Sequence, residues 1–411
     1  MSGVSIENAA QVMRPPAKGL AYLRSDRAAE LVLDGGALAL DGDRIAGFAA
    51  DATATLRFDA TGCAVLPGFV DCHTHLPFAG WRAEEYELKV TGVPYEEIAR
   101  RGGGIASSAR AFADASDEEV LAQARGLSAE MLRTGTTTFE GKTGYGLSVD
   151  AERRAVRLGR ELGDEVVQST TVTGLFAHAV PEGYTADEWM DEAEALARSE
   201  DVDALDIYVE SVAFANRHLE RLGAVAAERG LPLRAHVEQF GENRSVPVAL
   251  AAGARSVDHL ACLHPDDLAP LAESETAAVL LPGAEFLGAE RVAPARALAD
   301  AGAICVLGTD ANPGTSPVTS LPTIVGLAVR RYGWTAREAL LACTLNAAHV
   351  LGMAAEVGSL EAGKRADVIV LDSPIAHVPY RFARNPVCAV LVAGRPVWVR
   401  PDSAWRLEGG A

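Results

Sequence analysis

Eight short apolar runs, each followed by a stretch of helical periodicity, constrain this chain more than any other feature of its sequence. They fall at residues 68–73, 136–140, 166–173, 205–210, 232–236, 256–259, 277–281 and 304–309. Strands that are apolar on both faces must be covered on both, and strand-then-helix repeated eight times closes into a (β/α)8 barrel. Ser116 with Glu119 three residues later is a capping-box signature ahead of a helix to Arg133. Further helices are expected over residues 150–162, 187–197, 217–228 and 293–301. A doubly wound sheet is the competing arrangement, but the glycine-rich phosphate loop that opens such folds is missing after the first run.

The two ends of the chain read differently. Residues 1–65 alternate apolar runs with turn signals such as Asp34-Gly35-Gly36 and Asp41-Gly42-Asp43, a hairpin signature. Strand-like sequence returns at residues 366–372 and 387–394. The expected fold is therefore α/β: a TIM-like (β/α)8 barrel over residues 66–359, with a small composite β-sandwich domain formed by residues 1–65 and 360–411.

Charge narrows the partners. With 37 basic and 56 acidic residues the net charge is -19, which argues against nucleic acid or an anionic membrane surface. A small anionic substrate fits only if the site supplies its own cations. No run reaches the roughly 18–20 apolar residues of a membrane helix, and residues 1–16 lack the basic start and apolar core of a signal peptide. The six cysteines are scattered without a Cys-x-x-Cys pair, which reads as free, mostly buried thiols in a reducing cytoplasm. A homodimer is the commonest assembly for a soluble enzyme and is the expectation here.

Metal-ligand chemistry gathers at the ends of the apolar runs. Asp71-Cys72-His73-Thr74-His75 closes the first run, and residues two apart in a strand point the same way, so both imidazoles can serve one cation. His236 closes the fifth run, His259 the sixth and Asp310 the eighth. In a barrel these strand ends converge on one face, where active sites form. His218, His264, His349 and His377 fall in helices or loops and read as structural.

From Leu66-Pro67-Gly68-Phe69-Val70-Asp71-Cys72-His73-Thr74-His75 to Gly358-Ser359-Leu360-Glu361-Ala362-Gly363-Lys364-Arg365-Ala366-Asp367 the chain resembles the amidohydrolase superfamily. Within it, Phe78-Ala79-Gly80-Trp81-Arg82, Gly102-Gly103-Gly104-Ile105, Lys142-Thr143-Gly144-Tyr145-Gly146-Leu147, Ala177-His178-Ala179-Val180-Pro181 and Gly308-Thr309-Asp310-Ala311-Asn312-Pro313-Gly314-Thr315 are similar to the imidazolonepropionase family. That resemblance implies a metal-dependent hydrolase that opens the ring of 4-imidazolone-5-propanoate at a C–N bond to give N-formimidoyl-L-glutamate. It makes His73, His75, His236 and Asp310 ligands of one divalent or trivalent metal per subunit, Zn2+ or Fe3+. Relatives with two metals bridge them with a modified lysine at the fourth strand, and none of the four lysines (18, 89, 142 and 364) lies there; one metal is expected.

The resemblance also assigns roles. Asp310 takes the proton of the attacking water and His259 hydrogen-bonds the attacked carbonyl oxygen. Arg82 grips the propionate, while Tyr145, His178, Gln239, Asn312, Gly314 and Thr315 contact the ring or product. Deaminases of the superfamily carry His-x-x-Glu after the fifth strand; here the stretch is His236-Val237-Glu238-Gln239. Gln239 cannot exchange a proton, and Glu238 is expected to point away from His236. The remaining alternatives are another cyclic amide bearing a carboxylate and, further off, a heterocycle deaminase.

Overall fold

All eight expected runs form strands, in a computed structural model that describes residues 3–93, 97–98, 102–288 and 291–401. They are β6 (Phe69–Asp71), β7 (Thr136–Lys142), β8 (Ser169–Ala177), β9 (Ala204–Val209), β10 (Leu233–Val237), β11 (Ser256–His259), β12 (Ala277–Leu280) and β13 (Ile304–Leu307), numbered after five earlier strands. Successive strands pair in parallel, in chain order from β6 to β13. Except for the first three residues of β8, every residue of these strands is buried, as a sheet covered on both faces requires.

The first and last barrel strands meet just beyond their ends. Asp310 N donates to His73 O and His75 N to Ala311 O, both at 2.9 Å. Thr309 donates to the Asp71 carboxylate through its backbone N (3.1 Å) and its hydroxyl (2.6 Å). These contacts draw the two ends of the barrel sequence together at one rim.

Helices Asp117–Arg133, Val149–Glu165, Ala186–Ser199 and Asn216–Arg229 fill the expected places. Ser116 caps the first of them in the expected box, its hydroxyl accepting from Glu119 N at 3.3 Å while the Glu119 carboxylate accepts from Ser116 N at 2.8 Å.

The terminal segments join in one continuous mixed sheet. Its strands are β1 (Val4–Arg14), β2 (Val32–Asp41), β3 (Arg44–Gly47), β4 (Leu56–Asp59), β5 (Ala64–Pro67), β14 (Val368–Leu371), β15 (Val387–Val392) and β16 (Arg395–Val399). The order is β16-β15-β14-β5-β1-β2-β3, with β4 also on β1. Ile45 of β3 and Leu391 of β15, far apart in that order, share a core with Ile6, Phe58, Val368 and Val370. At the edge the turn glycines touch: a Cβ on Gly394 would lie 2.0 Å from Gly42 O. A single sheet thus supplies both layers around this core. Leu66, Ile369 and Val390 lie instead in the large core shared with the barrel. Of the C-terminal segment 360–411, residues 402–411 lie outside the described residues.

Close backbone approach sets one test of this packing. A Cβ on Gly141, in β7, would sit 2.3 Å from Leu76 O, a backbone atom that cannot swing aside. Gly141→Ala is expected to lower stability by about 2–3 kcal/mol, measured as a fall in Tm; an unchanged Tm would contradict the close seam between β7 and the segment after β6.

Candidate metal centre and active site

The strand ends put His73, His75, His236, His259 and Asp310 in one buried cluster. Its ring centroids lie 4.5 Å apart for His73 and His236, 5.4 Å for His73 and His75, and 5.3 Å for His236 and His259. The chain leaves several strands through left-handed backbone at non-glycine residues, with φ of 55° at Glu238, 82° at His259 and 53° at Asp310. Such angles cost of order 1–3 kcal/mol each and persist where surrounding structure holds them. Here they fall where the chain leaves β10, β11 and β13 at the rim.

One ring nitrogen from each of His73, His75 and His236 lies within 4.8 Å of the others. Asp310 Oδ1 stands 3.5 Å from His73 Nε2 and 3.2 Å from His75 Nε2. Among the described residues, Nε2 of His73 and of His236 is buried without a hydrogen-bond partner, an arrangement that costs free energy unless a cation takes the lone pairs. Burial keeps His236 below its ordinary pKa and lowers His75 to about 4, so both imidazoles are neutral and able to ligate at pH 7. Burial by itself would raise the Asp310 carboxyl, but the adjacent His73 and His75 rings hold it well below the usual range. The donor set of three imidazoles and one carboxylate fits a catalytic metal with an open position.

The other nitrogen of two of these imidazoles is fixed from below. His73 Nδ1 donates to Asp258 Oδ2 at 2.6 Å and His236 Nδ1 to Asp206 Oδ1 at 3.2 Å. Each bond settles a tautomer that leaves Nε2 free for the cation. Lys142, on β7, sends its ammonium to Asp206 at 2.7 Å and Glu140 at 2.9 Å. Charged and paired, it is held away from any bridging role between two metals.

Above the cluster opens a small cavity of about 40 Å³, lined by His75, Arg82, Tyr145, His178, Gln239 and Thr315 among others. Arg82 is only 8% exposed, and among the described residues its Nε and Nη1 have no hydrogen-bond partner; it pairs with the Glu85 carboxylate at 3.7 Å. A buried guanidinium with open donors suits a carboxylate ligand. It lies where it does because residue 314 is glycine, since a Cβ there would be 1.6 Å from Arg82 Nη2. His178 stacks on His75 at 5.4 Å and 19°. Its Nδ1 faces Gly144 O at 3.0 Å and so donates, which leaves Nε2 as an acceptor. Burial keeps His178 and His259 neutral, well below the ordinary imidazole pKa.

The residues after Asp310 form a self-bonded loop. Asn312 Oδ1 accepts from Gly314 N at 2.8 Å and Thr315 N at 2.7 Å, and its amide donates to Asp310 O at 2.6 Å. Asn312 lines the cavity while bracing the loop, and Thr315 Oγ1 comes within 3.4 Å of Asp310 Oδ2. Glu238 points away from the cavity, accepting from Asn243 N at 2.9 Å and Ser245 N at 2.7 Å. Gln239 faces the cavity, its backbone held by Glu210 at 2.8 Å.

Several residues of the site carry no motif by themselves. Glu152 accepts from Gly144 N, Gly146 N and Leu147 N, fixing the loop that carries Tyr145, and burial lifts its pKa to about 7. Asp71, Asp206 and Asp258 are likewise buried and bonded to the machinery rather than facing the cavity. For Asp206 and Asp258 the readable signal is a charged residue inside an otherwise apolar run.

Comparison with known proteins agrees with this geometry. The amidohydrolase family matches residues 64–397. An imidazolonepropionase of Rubrobacter xylanophilus is 43% identical over 394 residues, spanning 92% of this chain and 94% of that protein. One from Cupriavidus necator is 42% identical over 349 residues, 82% of this chain and 84% of that protein. Among solved structures, a zinc-bound adenosine deaminase from Xanthomonas campestris superposes with a TM-score of 0.69 at 20% identity, covering 97% of this chain and 93% of that one. A triazine hydrolase variant superposes with a TM-score of 0.75 at 16% identity, covering 96% and 94%; at such identities the likeness concerns the fold alone. The chain is a hydrolase of the amidohydrolase family and, within that family, belongs with the imidazolonepropionases.

A cation that binds the folded site stabilises the fold by mass action, by about 4 kcal/mol at a thousand times Kd. Chelation is expected to lower Tm and added Zn2+ to restore it, with the restoration largely lost in His236→Ala; equal Zn2+ responses in both proteins would contradict the ligand set.

Proposed function

We propose that this chain hydrolyses the ring C–N amide bond of 4-imidazolone-5-propanoate to N-formimidoyl-L-glutamate, a step of histidine degradation. The observation that carries the reading is a buried guanidinium with open donors across one small cavity from a three-histidine, one-carboxylate centre. A carboxylate-bearing ring spans such a cavity with its charge on Arg82 and its amide at the centre. The substrate is a small anion, and the proposed compartment is the cytoplasm; no helix among the described residues is long and apolar enough to cross a membrane.

His73, His75, His236 and Asp310 would hold one cation, Zn2+ or Fe3+, which supplies a Lewis acid and acidifies water at neutral pH. The residues do the rest. Asp310, kept anionic by its histidine neighbours, receives the proton that water loses as its oxygen bonds to the ring carbonyl carbon. His259 meets the carbonyl oxygen as negative charge gathers there. The ring C–N bond then breaks, and the proton stored on Asp310 passes to the leaving nitrogen. His178 accepts from a ring N–H through Nε2, Tyr145 and Gln239 line the ring, and the loop of Asn312, Gly314 and Thr315 bounds the product end. Arg82 fixes the propionate, so that its binding energy orients the amide.

Freshly generated 4-imidazolone-5-propanoate, followed by ultraviolet absorbance and product mass, tests this directly. Wild type should consume it to formimidoylglutamate. Arg82→Ala should lose about 100- to 1000-fold in kcat/KM, in keeping with the 2–5 kcal/mol typical of a truncated buried charge contact. Gly314→Ala should lose a comparable amount by displacing the guanidinium, with little further loss in the double variant. No turnover by metal-loaded wild type would sink the assignment and turn attention to other cyclic amides bearing a carboxylate.

A further inference from the structure

Beneath the metal centre lies a layer of charge that neither the fold nor the ring-opening chemistry calls for on its own. Glu140 and Lys142 lie on β7, Asp206 on β9, Arg234 on β10 and Asp258 on β11, and two of them, Asp258 and Asp206, bond His73 and His236 directly. All five are essentially inaccessible, with at most 1% relative exposure. Three carboxylates and two cations in an apolar barrel are expensive to bury, and replacing such a group with hydrocarbon is often neutral or stabilising. Their arrangement is therefore informative.

The contacts form one unbroken path between two metal ligands. His73 Nδ1 donates to Asp258 Oδ2 at 2.6 Å, and Arg234 Nη2 donates to that same oxygen at 2.9 Å. The other arm of Arg234, Nη1, reaches Glu140 Oε1. Lys142 Nζ pairs with Glu140 Oε2 at 2.9 Å and with Asp206 Oδ2 at 2.7 Å, and Asp206 Oδ1 accepts from His236 Nδ1 at 3.2 Å. Acid and base alternate at every link. Ser256 Oγ donates to the other Asp258 oxygen at 2.6 Å, and Thr173 Oγ1 donates to the Glu140 oxygen that Arg234 reaches. Arg234 and His236 share a face of β10, as do Glu140 and Lys142 on β7, because residues two apart in a strand point the same way.

We propose that Arg234, Glu140 and Lys142 are positioning residues of the metal centre: they close a chain of charged hydrogen bonds and ion pairs that orients His73 and His236 as one unit. Two separate carboxylate–imidazole pairs would each tolerate rotation of their own ring. A chain whose fork is the planar Arg234 guanidinium fixes both carboxylates relative to each other, and hence both Nε2 atoms relative to one point. The inference concerns the metal centre and stands whether or not the proposed substrate is right.

Arg234→Lys isolates the effect, because it keeps the charge, touches no ligand, and removes the fork that bridges Glu140 and Asp258. Zn2+ affinity is read by competition with a chromophoric chelator, with Tm and Zn2+ per chain at saturation recorded alongside. The expected result is at least tenfold weaker Zn2+ binding with one Zn2+ per chain retained at saturation. Asp206→Asn, at the far end of the chain, should also weaken binding, and the double variant should lose clearly less than the product of the two single losses. If Arg234→Lys does not fold, Glu140→Gln breaks the same link and takes its place in the cycle. Zn2+ affinity within twofold of wild type, or a double variant whose loss equals the full product, would overturn the proposal. Glu285→Gln, a buried carboxylate bonded to Tyr332 and outside the chain, should leave Zn2+ affinity unchanged; an equal loss there would mean that any buried carboxylate matters and would overturn it as well.

Discussion

The site depends first on the seam that joins the two ends of the barrel. Asp71, at the end of β6, takes both the backbone N and the hydroxyl of Thr309, next to Asp310. With the Asp310 N–His73 O and His75 N–Ala311 O bonds, this holds residues from opposite ends of the barrel sequence in one cluster. Burial raises the Asp71 carboxyl to about 6 against the hydrogen bonds that lower it. The seam thus retains a buried acid at an electrostatic cost, and what it secures is the mutual placement of His73, His75 and Asp310. A barrel closed only by apolar packing would keep the fold without fixing that placement.

Charge is the second constraint. A chain of net charge -19 that handles an anion must build its cations locally, and it does so at two depths. Arg82 faces the cavity with open donors, held in a space that Gly314 leaves vacant. Lys142 and Arg234 lie below the centre, where they balance Glu140, Asp206 and Asp258. The proposed metal ligands stand between these two layers. Surface charge and site charge are consequently separate matters, and the overall acidity says little about what the cavity binds.

Much of this was legible from the sequence because barrel strands end abruptly and in order. His73, His75, His236, His259 and Asp310 each close an apolar run, so the fold class alone brings them to one rim. Arg82, Tyr145, His178, Gln239 and Thr315 follow strands and line the same cavity. The sandwich expected from the two ends is formed by a single sheet, which strand-like runs cannot reveal because pairing order is a long-range property. Glu152 escaped notice because a helical glutamate ordinarily faces water, and only its three backbone donors show otherwise. Glu140, Asp206, Arg234 and Asp258 were absorbed into runs read as apolar. Their alternation with inward residues such as His236 was the available clue, and it points inward only once the barrel is known.

The most direct test of the account is stoichiometric reconstitution of the metal-free protein. Zn2+, and separately iron, would be titrated in while the loss of 4-imidazolone-5-propanoate is followed. A single centre built from His73, His75, His236 and Asp310 predicts activity that rises from near zero and levels off at one metal per chain. Full activity without metal, or a rise that continues to two metals per chain, would contradict it.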